Sequence, residues 1–548
     1  MGHPEDSPVI LKLSGHSLSL SQLVAVARST HCQLSIAPEQ LSHIEKSLKW
    51  VHNIQESGTP VVYGVNTGFG SKATVSISKE HLKELQRNLI MSHSAGVGNP
   101  LPVEVVRAAM LLRANTLIKG YSGVRPIVIQ TLLQMLERNV VPFIPEQGSV
   151  GASGDLAPLS HLALVLSADP EDDREELSGL AYWYNAQQNR WELMSGKKAM
   201  EQAGIPRLVL QAKEGLALNN GTQISTALLA LAYHDARELV KTADIAMALS
   251  LEALFGLSSA FREEIHQLRP HPGQVTTARN IRHLIRGSQL INRLPDKVQD
   301  AYSLRCHPQV MGSVRDTLRY IDQVLQIEMN ATNDNPIILP DISEENKAIS
   351  GGNFHAEPIA FAADFLSIAM SEVGSIAERR IFRLSDKNLN HGLPSFLIAN
   401  SGLESGLMIA QYTAASLVSE NKSLAHPASV DSIPTCENQE DHVSMAPIGA
   451  RKARQIVENV QKIVAIELLY AAQAIDLRFQ QFQEKENVHR PEELLGTGTA
   501  AAYRTIRKHV PFLDKDRPIY SDIARILALV KSGEIVHAVE QAVGELAD

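Results

Sequence analysis

Gly148-Ser-Val-Gly-Ala-Ser-Gly-Asp-Leu-Ala-Pro-Leu-Ser-His161 is the stretch of this chain whose residue types could do chemistry of their own. Gly148, Gly151 and Gly154 recur at every third position, with only small residues between Gly151 and Asp155. Glycine has no Cβ, so such a run permits unusual dihedrals and close approach of backbone atoms. A plain tight turn would have the same composition. Three familiar catalytic loops do not fit. A nucleophile elbow, G-x-S-x-G, needs glycine two residues after Ser153, where Asp155 stands. A phosphate-binding loop ends in Gly-Lys-Ser/Thr, which is absent. A dinucleotide fingerprint needs a preceding strand and its own glycine spacing, and neither is present.

The same stretch, centred on Ala152-Ser153-Gly154, resembles the core motif of the aromatic amino-acid ammonia-lyase and aminomutase family. In that family the tripeptide cyclises on itself to a methylidene-imidazolone, abbreviated MIO. The amide nitrogen of Gly154 must reach the carbonyl carbon of Ala152, which only an unhindered, compressed loop allows. Loss of water, including the Ser153 hydroxyl, leaves an exocyclic methylidene. That group is a stronger electrophile than any ordinary side chain, a role usually filled by a bound cofactor. The resemblance therefore implies MIO as the cofactor, with no metal and no nucleotide. It extends over nearly the whole chain. Tyr63-Gly-Val-Asn-Thr-Gly-Phe-Gly70, Asn220-Gly-Thr-Gln, Tyr302-Ser-Leu-Arg305, Asn333-Asp-Asn-Pro, Gly351-Gly-Asn-Phe354-His and Asn438-Gln-Glu-Asp-His-Val-Ser-Met445 all match the family's pattern. Blocks so far apart make one site only if the fold or a neighbouring subunit joins them. The resemblance implies both, in a homotetramer with shared active sites.

It also implies roles. Tyr63, in a glycine-bracketed loop, is the expected base. Removing a weakly acidic β-proton needs a lowered pKa and a dry site, and an unperturbed tyrosine sits near about 10. Arg305 follows Tyr302 by one helical turn, and its guanidinium is a natural two-pronged clamp for an amino-acid carboxylate. Asn220 and Gln299 can hydrogen-bond carboxylate, amine or the MIO oxygen. Phe354 is the expected apolar wall, a residue that simple core packing would explain equally. Tyr63, Ala152, Ser153, Gly154 and Glu440 are thus the expected catalytic residues. His93, Asn220, Gln299, Tyr302, Arg305, Phe354, Met408 and Tyr412 are the expected substrate contacts.

Substrate choice turns on Ser92-His93, Met408, Tyr412 and Glu440. A phenylalanine pocket should be wholly apolar, because buried polar groups without partners are costly. Imidazole offers a donor and an acceptor, which a carboxylate at Glu440 and a polar neighbour at His93 can match. The blocks GGNFHAEP, SGLM, SENKSLAHPASVDS and NQEDHVSM look like the histidine-specific branch of the family. The expected reaction is elimination of ammonia from L-histidine to give trans-urocanate. Tyr412 and the Ser-His pair, which tyrosine-specific relatives also carry, leave a tyrosine ammonia-lyase or tyrosine 2,3-aminomutase as the alternative. A non-enzymatic helical scaffold would have no use for these blocks.

The elements that must position these residues are mainly helices. Val105 to Lys119 is rich in Ala, Leu and Met, with Gly120 as a C-cap. Ile224, Leu228 and Leu231 repeat at helical spacing, as do Leu239, Val240, Ala243 and Met247, and then Ile456, Val460, Ile463 and Val464. The expected fold is mostly α: a long helical bundle of the ammonia-lyase and fumarase-aspartase type, with a mixed N-terminal region carrying the MIO loop. The expected divisions are 1–220, holding the Tyr63 and MIO loops, 221–480, the long-helix bundle, and 481–548, a C-terminal helical segment. One stretch differs. Leu180-Ala-Tyr-Trp-Tyr and Arg190-Trp-Glu-Leu flank Asn185–Asn189, which reads as a surface β-hairpin with Trp183 and Trp191 packed across it.

Composition sets the outer limits. The 548 residues are 44% hydrophobic, 20% charged and 5% aromatic, an ordinary soluble globular balance with a mainly aliphatic core. A formal net charge of -9 argues against a general nucleic-acid binder. Cys32, Cys306 and Cys436 have neither disulfide-framework nor zinc spacing. The first fifteen residues carry acidic groups and proline where a signal peptide needs a basic start and an apolar core. Ile224–Leu257 is apolar but broken by six polar or charged residues, which excludes a bilayer span and suggests a core helix pair. A cytoplasmic enzyme of a small amino acid, with no membrane or nucleic-acid partner, is the expectation.

Overall fold

Alanine- and leucine-rich stretches without internal proline form the long helices of this chain, in a computed structural model that describes residues 8–169, 171–343 and 347–548. The first seven residues, part of the argument against a signal peptide, lie outside the described residues. Helix Val103–Ile118 forms where its Ala-, Leu- and Met-rich composition predicts. It stops at Lys119, and Gly120 follows at φ +79°, where a Cβ would lie 2.8 Å from the backbone of His43 and Ile44. Only glycine fits there. Ile224–Leu257 forms one helix, Gln223–Ala253, rather than the expected pair. No glycine or proline interrupts it, and its buried Asp244 finds partners. Among the described residues one helix, Glu357–Ser385, is long and apolar enough by length and composition to cross a membrane, and 67% of its apolar window is buried within the protein.

The chain divides into two compact units. The first comprises Met1–Leu231, Gln323–Ala363 and Pro427–Arg451, and the second Ala232–Asp322, Asp364–His426 and Lys452–Asp548. All the described strands belong to the first, so the mixed character expected near the N-terminus is real. Val9–Leu13 pairs in parallel with Cys32–Ile36, joined by helix Leu20–Arg28. Val97–Pro100 pairs with Pro145–Gln147 at the entrance to the glycine-rich loop.

The hairpin forms as Leu180–Asn185 against Arg190–Ser195. Two details differ from expectation. Val140–Pro142 adds a third strand, so the hairpin is the edge of a small sheet rather than an excursion. The register sets Tyr184 opposite Trp191 and Trp183 opposite Glu192. The ring pair is therefore Tyr184–Trp191, with centroids 5.2 Å apart, and Trp183 lies on the other face.

The second unit is helical. Its polar core is tied by charges that the apolar pattern hides. Asp244 accepts from Arg315 at 2.8 Å, His307 at 2.9 Å and Asn280 at 3.2 Å. Arg380 donates to both oxygens of Glu467, at 2.5 and 2.8 Å, and Ser250 to the first at 2.8 Å. Each of these four charged groups has an ionic partner, which removes the penalty, of order 3–5 kcal/mol, of leaving one alone.

Candidate active site

The glycine-rich loop is held by backbone contacts that leave no room for side chains. Gly154 has φ +76° and forms a bridge with Gly221. A Cβ on Gly154 would lie 2.3 Å from the Gly221 carbonyl oxygen and 2.6 Å from its carbon. Asp155 N–H donates to Gly221 O at 2.7 Å. The Asp155 carboxylate, fully buried at the start of helix Leu156–Leu166, accepts from Ser225 N–H and Ser225 Oγ, both at 2.9 Å. Burial outweighs these donors and pushes its pKa up to about 6.

Gly221 is itself fixed. Arg113 donates from Nη1 and Nη2 to Asn220 O at 2.8 and 2.9 Å, and from Nη1 to Gln223 Oε1 at 2.7 Å. Gln223 Nε2 in turn donates to Asn333 Oδ1 at 2.6 Å. A buried Lys213–Asp334 pair, 2.9 Å apart, sits one residue further along the Asn333-Asp-Asn-Pro block. On the opposite side the loop meets the Asn438–Met445 block. Met445 N–H donates to Val150 O at 2.9 Å and Ser444 Oγ to Gly151 O at 3.1 Å, while Val150 and Ala152 pack on Val443, Met445 and Ala428. The loop is a compressed turn wedged between two backbone segments.

Onto it converge several of the expected residues. Ser153 Oγ donates to Glu440 Oε1 at 2.6 Å, and Asn220 Nδ2 donates to Ser153 O at 2.7 Å. The Oδ1 of Asn220 is buried without a hydrogen-bond partner. Tyr63 and His93 both lie within electrostatic range of Glu440. His93 is half-buried, and burial pulls its pKa down against the raising effect of Glu440, so the ring is neutral near pH 7. Tyr63 accepts from Gly70 N–H at 3.2 Å. Burial nonetheless pushes its pKa up, opposite to the lowered value that the sequence argument asks of a base. Phe354 is half-buried, one residue before His355, whose Nε2 lies 3.4 Å from the His442 carbonyl oxygen.

Five expected residues belong to the second unit. Gln299, Tyr302 and Tyr412 are exposed, Tyr302 by 71% and Tyr412 by 62%, and Met408 and Arg305 are half-buried. Arg305 stacks over Tyr302, with its guanidinium carbon 4.8 Å from the ring centroid, as one helical turn predicts. Its Nε is buried without a partner in the described residues, a donor awaiting an acceptor.

The donor set fits a self-made electrophile. Small residues at 151, 152 and 154, an amide on the Ser153 carbonyl and a carboxylate on the Ser153 hydroxyl address the atoms that cyclisation must rearrange. A metal could be held elsewhere in the first unit: His355, Glu357 and His442 each bring a ligand atom within 4.8 Å of the others, though the sequence implies no metal. Sequence reasoning missed Arg113, Gly221 and Asn333 as the supports of the loop, and Thr435, whose Oγ1 donates to Glu440 Oε2 at 2.7 Å. Gly221 was visible as the residue after Asn220. Thr435, five before Glu440, gave no signal.

The family model of aromatic amino acid lyases matches residues 18–508. A histidine ammonia-lyase from Alkaliphilus metalliredigens is 50% identical over 537 residues, 98% of this chain and 99% of that one. Among solved structures, histidine ammonia-lyase from Trypanosoma cruzi is 40% identical at a TM-score of 0.86, covering 97% of this chain and 96% of that one. A tyrosine aminomutase from Streptomyces globisporus is 37% identical at a TM-score of 0.86, covering 99% and 100%.

Proposed function

The chain belongs to the aromatic amino acid lyase family, and we propose that it eliminates ammonia from L-histidine to give trans-urocanate. It is a carbon–nitrogen lyase. The observation that carries the reading is the position of Glu440, 2.6 Å from Ser153, which sets an acidic side chain, with a neutral His93 nearby, at the loop that makes the electrophile. Once the serine hydroxyl is gone, an apolar ring would leave Oε1 of that carboxylate without a partner, at a cost of about 1–3 kcal/mol or more, whereas an imidazole N–H satisfies it. The name carried by relatives of about half identity supports the same substrate.

MIO, formed from Ala152-Ser153-Gly154, supplies the electrophile that activates the leaving nitrogen. The chain's own groups do the rest. Arg305 takes the substrate carboxylate, with Tyr302 stacked behind the guanidinium and Gln299 beside it on the chain. Asn220 Oδ1 accepts from the amine. Glu440 accepts the imidazole N–H, with His93, Met408 and Tyr412 lining the ring's pocket and Phe354 as the apolar wall. Tyr63 removes the β-proton. Since burial favours its neutral form, it becomes a base only when the bound substrate and the groups facing it stabilise the phenolate. A homotetramer supplies those facing groups, and exposed Tyr302 and Tyr412 are the residues one copy lends to another. The enzyme is cytoplasmic in this reading.

The test is the intact mass of the purified chain beside its turnover of L-histidine. The parent should be two waters lighter than its sequence and release urocanate. Ser153→Ala should be folded, at full mass less only the serine oxygen, and nearly inactive. Turnover near the parent's by Ser153→Ala would refute the reading.

A further inference from the structure

The Ser153–Glu440 hydrogen bond has no use in binding substrate, because the hydroxyl that makes it is gone once the tripeptide has cyclised. It belongs to the chain before processing. The carboxylate is held in place for that contact. Thr435 Oγ1 donates to Glu440 Oε2 at 2.7 Å, leaving Oε1 to meet Ser153 at 2.6 Å. The same two residues pair through the backbone, Thr435 N–H to Glu440 O at 3.0 Å and Glu440 N–H to Thr435 O at 3.3 Å. Between them Cys436, Glu437 and Asn438 all stand in the left-handed region, with φ of 50°, 55° and 71°. Three consecutive non-glycine residues there are held only where surrounding contacts over-determine them. The effect is a tight turn whose far end presents Glu440 to the serine.

We propose that Glu440, steadied by Thr435, is the general acid of the chain's self-processing and protonates Ser153 Oγ as that oxygen departs. The inference rests on the reading that Ala152-Ser153-Gly154 cyclise. In that conversion the Gly154 nitrogen bonds to the Ala152 carbonyl carbon. The Ala152 oxygen leaves as the first water, taking the amide protons of Gly154 and Ser153. For the second water, the Ser153 Cα–H bond breaks and its electron pair forms the Cα=Cβ bond. The Cβ–Oγ bond breaks with its pair on oxygen, and Oγ takes a proton delivered by Glu440. That proton is the one released at Cα, which reaches the Glu440 carboxylate by way of water, so the carboxylate ends the step as it began. Hydroxide is a poor leaving group, so a proton must arrive at Oγ as the bond breaks. Glu440 Oε1 lies at the separation that general acid catalysis requires. Asn220 assists from the other side. Its Nδ2, 2.7 Å from Ser153 O, stabilises charge on that carbonyl as the adjacent Cα–H bond breaks.

The experiment is intact mass spectrometry of the full-length parent, Glu440→Gln, Thr435→Val and Thr435→Ser, each with a thermal melt to establish folding. Gln keeps the size of the side chain but is no acid. The parent should be two waters lighter, and Glu440→Gln should remain largely at full mass, with processing slowed about a hundredfold or more. Thr435→Val should accumulate unprocessed chain, and Thr435→Ser should restore processing by returning the hydroxyl. Folded Glu440→Gln that is two waters lighter to the parent's extent would overturn the proposal while leaving the lyase reading intact. If Glu440→Gln does not fold, full processing of Thr435→Val at the parent's rate overturns it instead. A parent at full sequence mass would sink both this proposal and the reading beneath it.

Discussion

Gly154→Ala asks whether the loop's compression makes the site. In the structure a Cβ at this position lies 2.3 Å from Gly221 O, 2.6 Å from Gly221 C and 2.8 Å from Gly221 N. Ordinary contacts of this kind begin near about 3.4 Å, so the methyl overlaps the three backbone atoms by about 1.1, 0.8 and 0.6 Å. Gly221 cannot yield. Its own Cβ position is filled by Arg113 Nη1 at 2.2 Å and Gln223 Oε1 at 2.5 Å, and Asp155 N–H is bonded to its carbonyl. The variant residue must also keep φ +76°, which costs an L-residue about 1–2 kcal/mol. Overpacking adds about 1–3 kcal/mol. The sum, about 2–5 kcal/mol, is less than or comparable to the total stability of a domain, about 5–15 kcal/mol. We expect a folded protein with a lowered Tm, the loop displaced and the bridge between residues 154 and 221 broken. Processing should then fail. Intact mass and a thermal melt on one preparation read both effects. A Gly154→Ala chain that melts with the parent and is two waters lighter would refute the reasoning.

Tyr63→Phe should lower kcat by about a hundredfold or more with little change in KM, since the hydroxyl acts in the transition state; steady-state kinetics on L-histidine checks this. Arg305→Lys should raise KM about tenfold to a hundredfold with a smaller fall in kcat, because an ammonium replaces a two-pronged charged contact worth about 1.5–3 kcal/mol. Glu252, fully buried in the second unit, accepts Gly496 N–H at 2.8 Å, and burial pushes its pKa up to about 7 from 4.5. The folded state therefore binds a proton that the unfolded state releases between about 4.5 and 7. This contribution is present below the unfolded pKa and is lost as pH rises through the folded one. Glu252→Gln, which stays neutral, should gain up to about 3 kcal/mol over the parent above pH 7 and almost nothing below about pH 4; melts across that range test the sign.

The catalytic loop was legible because its signal is local: three glycines at fixed spacing and a motif running unbroken to His161. The helices were legible from Ala- and Leu-rich composition, as in Val103–Ile118, or from apolar residues that kept one period, as Ile456, Val460, Ile463 and Val464 do in Ala446–Phe482. Contacts across long stretches of chain were not. Ser153 and Glu440 are 287 residues apart, and only family resemblance suggested that both serve one site. Thr435 was invisible because a threonine in a polar loop has no pattern, and its meaning lies in three left-handed residues that sequence does not announce. Arg113 is one of two arginines in helix Val103–Ile118, and only its partners at Asn220 and Gln223 show that it holds the loop. The Tyr184–Trp191 pairing follows from the turn length. Once Asn185 faces Arg190, Trp183 must face Glu192, so the two tryptophans fall on opposite sides. The single helix Gln223–Ala253 was taken for two because its charges looked like a break, whereas Asp244 is a buried partner of Arg315.

The central claim is that this lyase acts on histidine. Its most direct test is kcat/KM for L-histidine, L-tyrosine and L-phenylalanine, measured separately on the full-length protein by the absorbance of the unsaturated acid and by released ammonia. The account predicts urocanate from histidine with a kcat/KM at least roughly a hundredfold above either other amino acid, because a site built to bond a ring N–H discriminates strongly against rings that lack one. A preference for tyrosine, or a β-amino acid formed without free ammonia, would contradict it.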